Sequence, residues 1–279
     1  MDNLTEKYIL ELVKNLKDEP NPAFEIFKKN GEVASCNFIA RTTGVVSGVD
    51  VVQLFYKKLS SKVSFKILKE NGKFVNRGDV ICVISGPIYE ILRGEQIAIN
   101  IIRYMSGIAS TVAKYKMELA SLDTKLLFSG HAAPGLEMLA EQAFVDGGGF
   151  LREENKNYCV LSSNTIARFE TVDDAINALK TLDRPLKPIV EVNDEYEFES
   201  ALFSSAQIIR VTTSKEQIIK NCSLMNNNKV LEVQSEIELR HVRSIAKMGY
   251  KYIIIPSLSD SAKALPIDLN FYKRFKKIK

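Results

Sequence analysis

PIVEVNDEYEFESALFSSAQIIRVTTSKEQIIKNCSLMNNNKVLEV, residues 188–233, sets three short apolar runs at near-regular intervals with polar, helix-forming sequence between them. Each run, Pro188 to Val192, Ile208 to Val211 and Val230 to Val233, is rich in β-branched residues and too short for a buried helix, so each reads as a strand. Outward from this stretch, Lys125 to Phe128 and Tyr252 to Ile255 read as further strands of the same kind. Helices come between them, announced by capping-box spacing at Thr171 with Asp174, Ser214 with Gln217 and Ser235 with Glu238. An apolar helix face such as Val172, Ala175, Ile176 and Leu179 follows the first of these. Strands alternating with helices pair in parallel through right-handed crossovers, which leaves a barrel or a doubly wound sheet. In a barrel, a site would lie at the C-terminal strand ends, on a rim of Ser129, Asn193, Thr212, Gln234 and Pro256.

The first hundred residues follow another pattern. Ile9, Leu12, Val13 and Leu16 share one helical face, and Asn3 with Glu6 has capping-box spacing. Glu32 to Arg41, Val63 to Lys69 and Val80 to Ser85 read as an antiparallel sheet, the last two strands joined through the turn signal Asn71-Gly72. Val51 to Leu59 reads as a helix, and Gly86-Pro87 ends the sheet before a long helical segment, Ile88 to Leu119. Glycine costs a helix interior about 1 kcal/mol, so Ser106-Gly107 marks a break or a close approach. The division expected is an N-terminal α/β domain over 1–106 and a barrel domain over 107–279, whose last residues pack back on the first.

Composition narrows the function classes. With 46% hydrophobic residues the 279-residue chain can bury a proper core. Its 38 basic and 34 acidic residues are interspersed, so the net charge of +4 makes no nucleic-acid footprint. Only Tyr272 to Lys279 concentrates positive charge, and a frayed or docked terminal helix explains it more simply than an RNA-binding arm. No apolar run reaches membrane-spanning length and the acidic N-terminus lacks leader character, so no membrane and a cytoplasmic location are expected. Cys36, Cys82, Cys159 and Cys222 are scattered, and His131 and His241 are the two histidines, so neither a disulfide framework nor a metal centre is expected.

Glu191 and Glu232 are candidate catalytic residues, because each is a lone carboxylate inside an apolar strand, where burial without a partner is costly. Either they line a barrel mouth and hold ribose hydroxyls, metal-bound water or a lysine, or each is paired with a Lys or Arg or faces solvent. His131, beside the glycine turn of GHAAPGLEMLAEQAFVDGGG (130–149), is a candidate phosphate donor or acid and base, or an ordinary surface residue. Arg152 either clamps a substrate carboxylate or phosphate bidentately or pairs with Glu153 or Glu154. Gly147 to Gly149 permit a tight turn or close backbone packing, and no Walker Lys-Ser/Thr follows them. No nucleophilic triad can be assembled around two histidines.

Several stretches resemble the quinolinate phosphoribosyltransferase family along nearly the whole chain. FIARTTGVVSGVD (38–50) resembles its Arg-x-x-Gly-Val-x-x-Gly segment, and NGKFVNRGDVICVISGP (71–87) its stretch ending in Gly-Pro. LRGEQIAINIIRYMSGIAS (92–110) is the most specific match, resembling the family's Glu-Arg-Thr-Ala-Leu-Asn helix and its Ser-Gly-Ile-Ala continuation, and LSDSAKALPIDLNF (258–271) is similar to its closing strand. The resemblance implies an N-terminal α/β open sandwich with a C-terminal α/β barrel of the type II phosphoribosyltransferase kind. It further implies a homodimer in which the partner's N-terminal domain closes each active site. The implied reaction converts quinolinate and phosphoribosyl pyrophosphate, with Mg2+, into nicotinate mononucleotide, carbon dioxide and pyrophosphate.

The family's cations are largely replaced. Its helix arginine corresponds to Gln96, and the Asp, Arg and Lys of its turn to Phe128, Gly130 and His131. Its His-Arg pair becomes Leu151 and Arg152, and its Lys-Asp-Asn-His run becomes Ser162, Ser163, Asn164 and Thr165. The family's strand glutamate matches Glu191, its barrel aspartate becomes Thr212, and the Ser-Gly-Gly loop after Glu232 becomes Gln234, Ser235 and Glu236. Arg152, His131 and Asn164 are therefore the candidate substrate-binding residues. Charge lost at about six positions predicts that the quinolinate reaction is lost or greatly weakened. The expected function is that of a divergent family protein with a small-molecule ligand. The alternative is a non-catalytic homologue that serves as a scaffold or regulatory subunit, including hetero-association with an active paralogue.

Overall fold

A computed structural model describes residues 3–18, 24–152, 157–226, 228–271 and 276–277. Its elements begin with α1 (Asn3–Asp18), α2 (Glu25–Asn30), β1 (Glu32–Ala40), β2 (Gly44–Val45), α3 (Val49–Leu59), β3 (Ser64–Ile67), β4 (Phe74–Val75), β5 (Val80–Pro87) and α4 (Ile88–Glu118). Next come β6 (Lys125–Leu126), α5 (Glu137–Asp146), β7 (Tyr158–Leu161), α6 (Ser163–Ile166), α7 (Val172–Lys180), β8 (Lys187–Val192), α8 (Glu195–Leu202) and β9 (Ile208–Thr212). The chain closes with α9 (Glu216–Met225), β10 (Val230–Gln234), α10 (Leu239–Lys247), β11 (Tyr252–Ile254), α11 (Ser257–Asp260), β12 (Ile267–Phe271) and β13 (Lys276–Lys277). Contacts gather these into two units. One is Met1–Ala113 with Ala132–Gly148 and Ser261–Lys279, and the other is Lys114–His131 with Gly149–Asp260. The division read at residue 106 falls inside α4. No helix among the described residues is long and apolar enough to cross a membrane.

The first unit is the open sandwich. Its antiparallel sheet runs β12-β1-β5-β3, with β13 also beside β1. The basic tail thus contributes a short strand at Lys276–Lys277 where a terminal helix was expected, paired antiparallel with Glu32 and Val33 of β1. The remainder of that tail lies outside the described residues. Asn71-Gly72 does not join β3 to β5. It turns the chain into β4, which pairs with β2, while the Asn71 side chain accepts from Val49 N at 3.1 Å and donates to Asp50 at 2.8 Å. Glu6 accepts from Lys58 Nζ at 2.5 Å, so the residue expected to complete a capping box ties α1 to α3 instead.

Two features bear on the packing of the helices in this unit. Helix α4 continues through Ser106-Gly107, and a Cβ on Gly107 would lie 2.5 Å from the Lys263 carbonyl oxygen, so close backbone approach is the reason for glycine here. Helix α5 is anchored by Ser47 Oγ, which donates to Asp146 at 2.6 Å, and by Gln142, which donates to both oxygens of Asp50. Burial pushes the Asp146 carboxyl above the usual carboxylate range, with the nearby Asp50 charge adding to the rise and Ser47 opposing it.

The second unit is the α/β barrel. Its six parallel strands run β6-β11-β10-β9-β8-β7, and a parallel bridge joins Leu127 to Phe150 beside β6. Leu126, Ile253, Val233, Val211 and Val192 stand in one lateral row, and all five are buried. Their face carries the helices, and the other face is concave. The Arg152 guanidinium shows the curvature, lying 4.6 Å from the Tyr158 ring on β7 and 5.7 Å from the Tyr252 ring on β11. A flat sheet would hold those strands roughly 19 Å apart, at about 4.8 Å per strand, beyond the reach of one guanidinium.

Of the three caps expected here, Thr171 with Asp174 forms a complete capping box on α7. Thr171→Ala is expected to cost about 1 kcal/mol, read as a lower urea midpoint, and an unchanged midpoint would refute the cap's role. The other two do not form. Thr213 Oγ1 accepts from Lys215 N in a local turn, so α9 starts only at Glu216. Ser235 N bonds the Ile254 carbonyl and prolongs the sheet, so α10 starts at Leu239.

Candidate functional site

A parallel sheet covered by helices on one face is expected to be apolar on both. This barrel departs from that at one level. Directly beside the buried row, Lys125, Tyr252, Glu232, Arg210 and Glu191 are aligned across β6, β11, β10, β9 and β8. Side chains alternate along a strand, so all five lie on the concave face, opposite the helix-covered valines.

Glu232 is fully buried and held by two arginines. Arg152 Nη2 donates to its Oε1 at 2.5 Å, while Arg210 reaches Oε2 from Nε at 3.1 Å and from Nη2 at 3.0 Å. The Arg210 Nη1 also donates to Gln234 Oε1 at 3.3 Å. The guanidinium of Arg152 is further fixed against Tyr158 and Tyr252, an arrangement in which ring faces stabilise a cation by about 0.5–2 kcal/mol. Both oxygens of Glu232 are thus engaged by charge-assisted bonds, which is what permits a carboxylate at this depth.

The two strand glutamates differ in environment. Glu191 shares the concave face, in register with Arg210, yet among the described residues its carboxylate has no hydrogen-bond or ion-pair partner. One step toward the strand end, the buried Thr212 Oγ1 is also without a hydrogen-bond partner. Unpaired polar groups at this depth are uncommon and mark a place where a ligand or water completes the set.

Beyond β10, Glu236 Oε1 accepts from Ser257 N at 3.2 Å, at the start of α11. A protein carboxylate therefore occupies this backbone donor.

The other candidates lie apart from this cluster. His131 is exposed; its N–H donates to Ser129 Oγ at 3.1 Å and its carbonyl accepts from Ser259 Oγ at 2.7 Å, so its backbone shapes the turn. Asn164 is exposed on α6. Among the described residues, neither bonds to Glu232, Arg152 or Arg210. Arg152 is neither the open clamp nor the surface pair weighed from sequence, since its partner is Glu232; Glu153 and Glu154 lie outside the described residues. Arg210 was missed, although IIRVT carries the same signal as IVEV and VLEV, a single charge inside an apolar strand.

Residues 22–106 match the family model for the quinolinate phosphoribosyl transferase N-terminal domain, and residues 108–270 match that for its C-terminal domain. The chain belongs to the quinolinate phosphoribosyltransferase family. Among curated relatives of this family, a probable nicotinate-nucleotide pyrophosphorylase [carboxylating] of Bacillus subtilis is 24% identical over 235 residues, spanning 83% of this chain and 81% of that protein. A Synechocystis protein of the same description is 24% identical over 222 residues, spanning 77% and 75%. Among solved structures, NadC from Streptococcus pyogenes has a TM-score of 0.85 at 24% identity and covers 100% of both chains. Nicotinate-nucleotide pyrophosphorylase from Ehrlichia chaffeensis has a TM-score of 0.84 at 23% identity, covering 94% of this chain and 98% of that one. At such identities the likeness establishes the family's fold, while the roles of individual residues rest on the geometry above.

Proposed function

We propose that this family member no longer converts quinolinate and phosphoribosyl pyrophosphate to nicotinate mononucleotide, and that its barrel binds a less anionic small molecule. The observation that carries this reading is the clamp on Glu232. Arg152 and Arg210, two cations of the barrel face, are engaged by one internal carboxylate. Glu236 adds a second internal anion at a backbone donor. Quinolinate with phosphoribosyl pyrophosphate needs several cations free at once, because both substrates and the leaving group are multiply charged.

Mg2+ carried in with phosphoribosyl pyrophosphate also fits this donor set poorly. Both oxygens of Glu232 already accept from guanidinium groups, leaving Glu191 as the carboxylate of the aligned row without a partner among the described residues. Glu191 and the Thr212 hydroxyl suit a ligand that offers neutral or cationic donors, such as hydroxyl or amino groups. Arg152, held between two tyrosines, can orient a single acidic group with the part of its guanidinium that Glu232 does not use.

Two charge-assisted contacts withheld from substrate correspond to about 3–6 kcal/mol, or about a hundred- to ten-thousandfold in kcat/KM. Purified protein with quinolinate, phosphoribosyl pyrophosphate and Mg2+ is expected to form nicotinate mononucleotide about a thousandfold more slowly than the Bacillus subtilis relative. Turnover within about tenfold of that relative would overturn the reading.

A further inference from the structure

A cavity lies entirely within the barrel unit, between α7, α8 and the helix-covered side of β8. Its volume is about 460 Å³, the size of a small-molecule pocket. Val190 and Val192, with Ile166 and Val172, supply apolar wall. Glu170, Asp173, Glu191 and Glu197 are its acidic lining residues, and no Lys, Arg or His lines it.

The surface of α8 supports a ligand site independently of those acids. Phe198 and Ala201 are its buried residues, whereas Tyr196, Ser200 and Phe203 line the cavity at spacings that share one helical face. Tyr196 is 79% exposed and Phe203 81%, and both are large aromatic rings over a partly enclosed space. Solvated helix faces are normally polar, so two such rings beside a cavity call for a ligand.

The charges around the cavity indicate the ligand's sign. Glu197 Oε2 accepts from Ser163 Oγ at 3.1 Å and Asn193 N at 2.7 Å, neutral donors that orient the carboxylate and leave its charge in place. Hydrogen bonds from the Ser205 hydroxyl and backbone hold Asp173 below the usual carboxylate range, so it is ionised at neutral pH. Lys180 and Lys229 also act on Asp173, but their ammonium groups are bonded to Asn177 and to the Ser204 and Ala206 carbonyls.

We propose that this cavity binds an organic cation with an apolar body, whose charge meets Glu170 and Glu197 and whose ammonium or guanidinium group lies against the faces of Tyr196 and Phe203. Carboxylates alone would attract any cation. Carboxylates combined with aromatic faces and an apolar wall select one that carries hydrocarbon. The side chains of Val190 and Val192 reach this cavity from the face of the sheet opposite the charged row, although Glu191 of that row also lines it, and the proposal does not depend on the fate of the quinolinate reaction.

The test uses benzylamine, protonated at pH 7, and its neutral counterpart benzyl alcohol, titrated into the full chain by calorimetry. Benzylammonium is expected to bind about tenfold or more tightly than benzyl alcohol, with an affinity that falls as salt rises. Glu170→Gln and Phe203→Ala change exposed residues, so both are expected to fold as the parent does and to weaken benzylammonium binding by about fivefold or more. Equal affinity for the alcohol, no binding of either probe, or parental affinity in both variants would each overturn the proposal.

Discussion

Glu232→Ala is expected to lower the stability of the barrel unit by about 3–5 kcal/mol, measured by urea unfolding followed by circular dichroism. The loss comes less from the missing carboxylate than from what remains. Arg210 has 11% of its side chain exposed and Arg152 22%, so two guanidiniums would face each other with little water and without the carboxylate that both of them bond. The sign can be checked by removing a cation as well. Glu232→Leu combined with Arg210→Met replaces buried charge by hydrocarbon of similar volume, and such exchanges are often neutral or favourable. The double variant should therefore be more stable than Glu232→Ala. A loss below about 1 kcal/mol in Glu232→Ala would show that the clamp is not the stabilising unit described above.

Gly147→Ala is the second substitution expected to have a large effect, about 1–3 kcal/mol, read as a fall in melting temperature. Gly147 has ordinary helical backbone angles, so conformational freedom is not why it is glycine. A Cβ there would stand 2.6 Å from the Ala109 carbonyl oxygen and 2.7 Å from Val112 Cβ. Neither atom is the end of a flexible side chain, so the backbone of α4 would have to move. Its neighbour Gly148 has φ +88 and is constrained for the other reason, the left-handed backbone that a side chain disfavours by about 1–2 kcal/mol. Adjacent glycines in one triplet thus serve two separate ends. A Gly147→Ala protein melting within about a degree of the parent would refute the packing argument.

The clamp also bears on how family membership and activity relate. Membership rests on sequence patterns that build the scaffold, such as the long helix with its Ser106-Gly107 and the parallel strands. Activity rests on which charges remain uncompensated in the barrel, and that is a property of pairs. Arg152 alone reads as a substrate clamp; Arg152 beside Glu232 is half of an internal ion pair. On the function proposed above, the cation replacements that the family resemblance implies at Gln96, Gly130 and His131 and the pairing of Arg152 with Glu232 point the same way.

The alternation of short apolar runs with capped helices was enough to establish parallel strands, because burial of both sheet faces demands near-continuous hydrophobic sequence. The antiparallel first sheet was read from its strand runs and a turn signal, although Asn71-Gly72 leads into β4 and does not join β3 to β5. Element starts were less legible at α9 and α10, where Ser214 and Ser235 have the spacing of caps but the neighbours of Ser214 close a local turn and the N–H of Ser235 itself bonds into the sheet. Only the tertiary structure decided between a flat sheet and a barrel, since local periodicity is identical in both and closure depends on contacts between distant strands, here Tyr158 and Tyr252 meeting at Arg152. It likewise decided the state of the two strand glutamates. Their local sequences are nearly alike, yet one is locked between two arginines and the other has no partner among the described residues, because lateral register and sheet curvature, not the residues beside them in the chain, choose which charges meet.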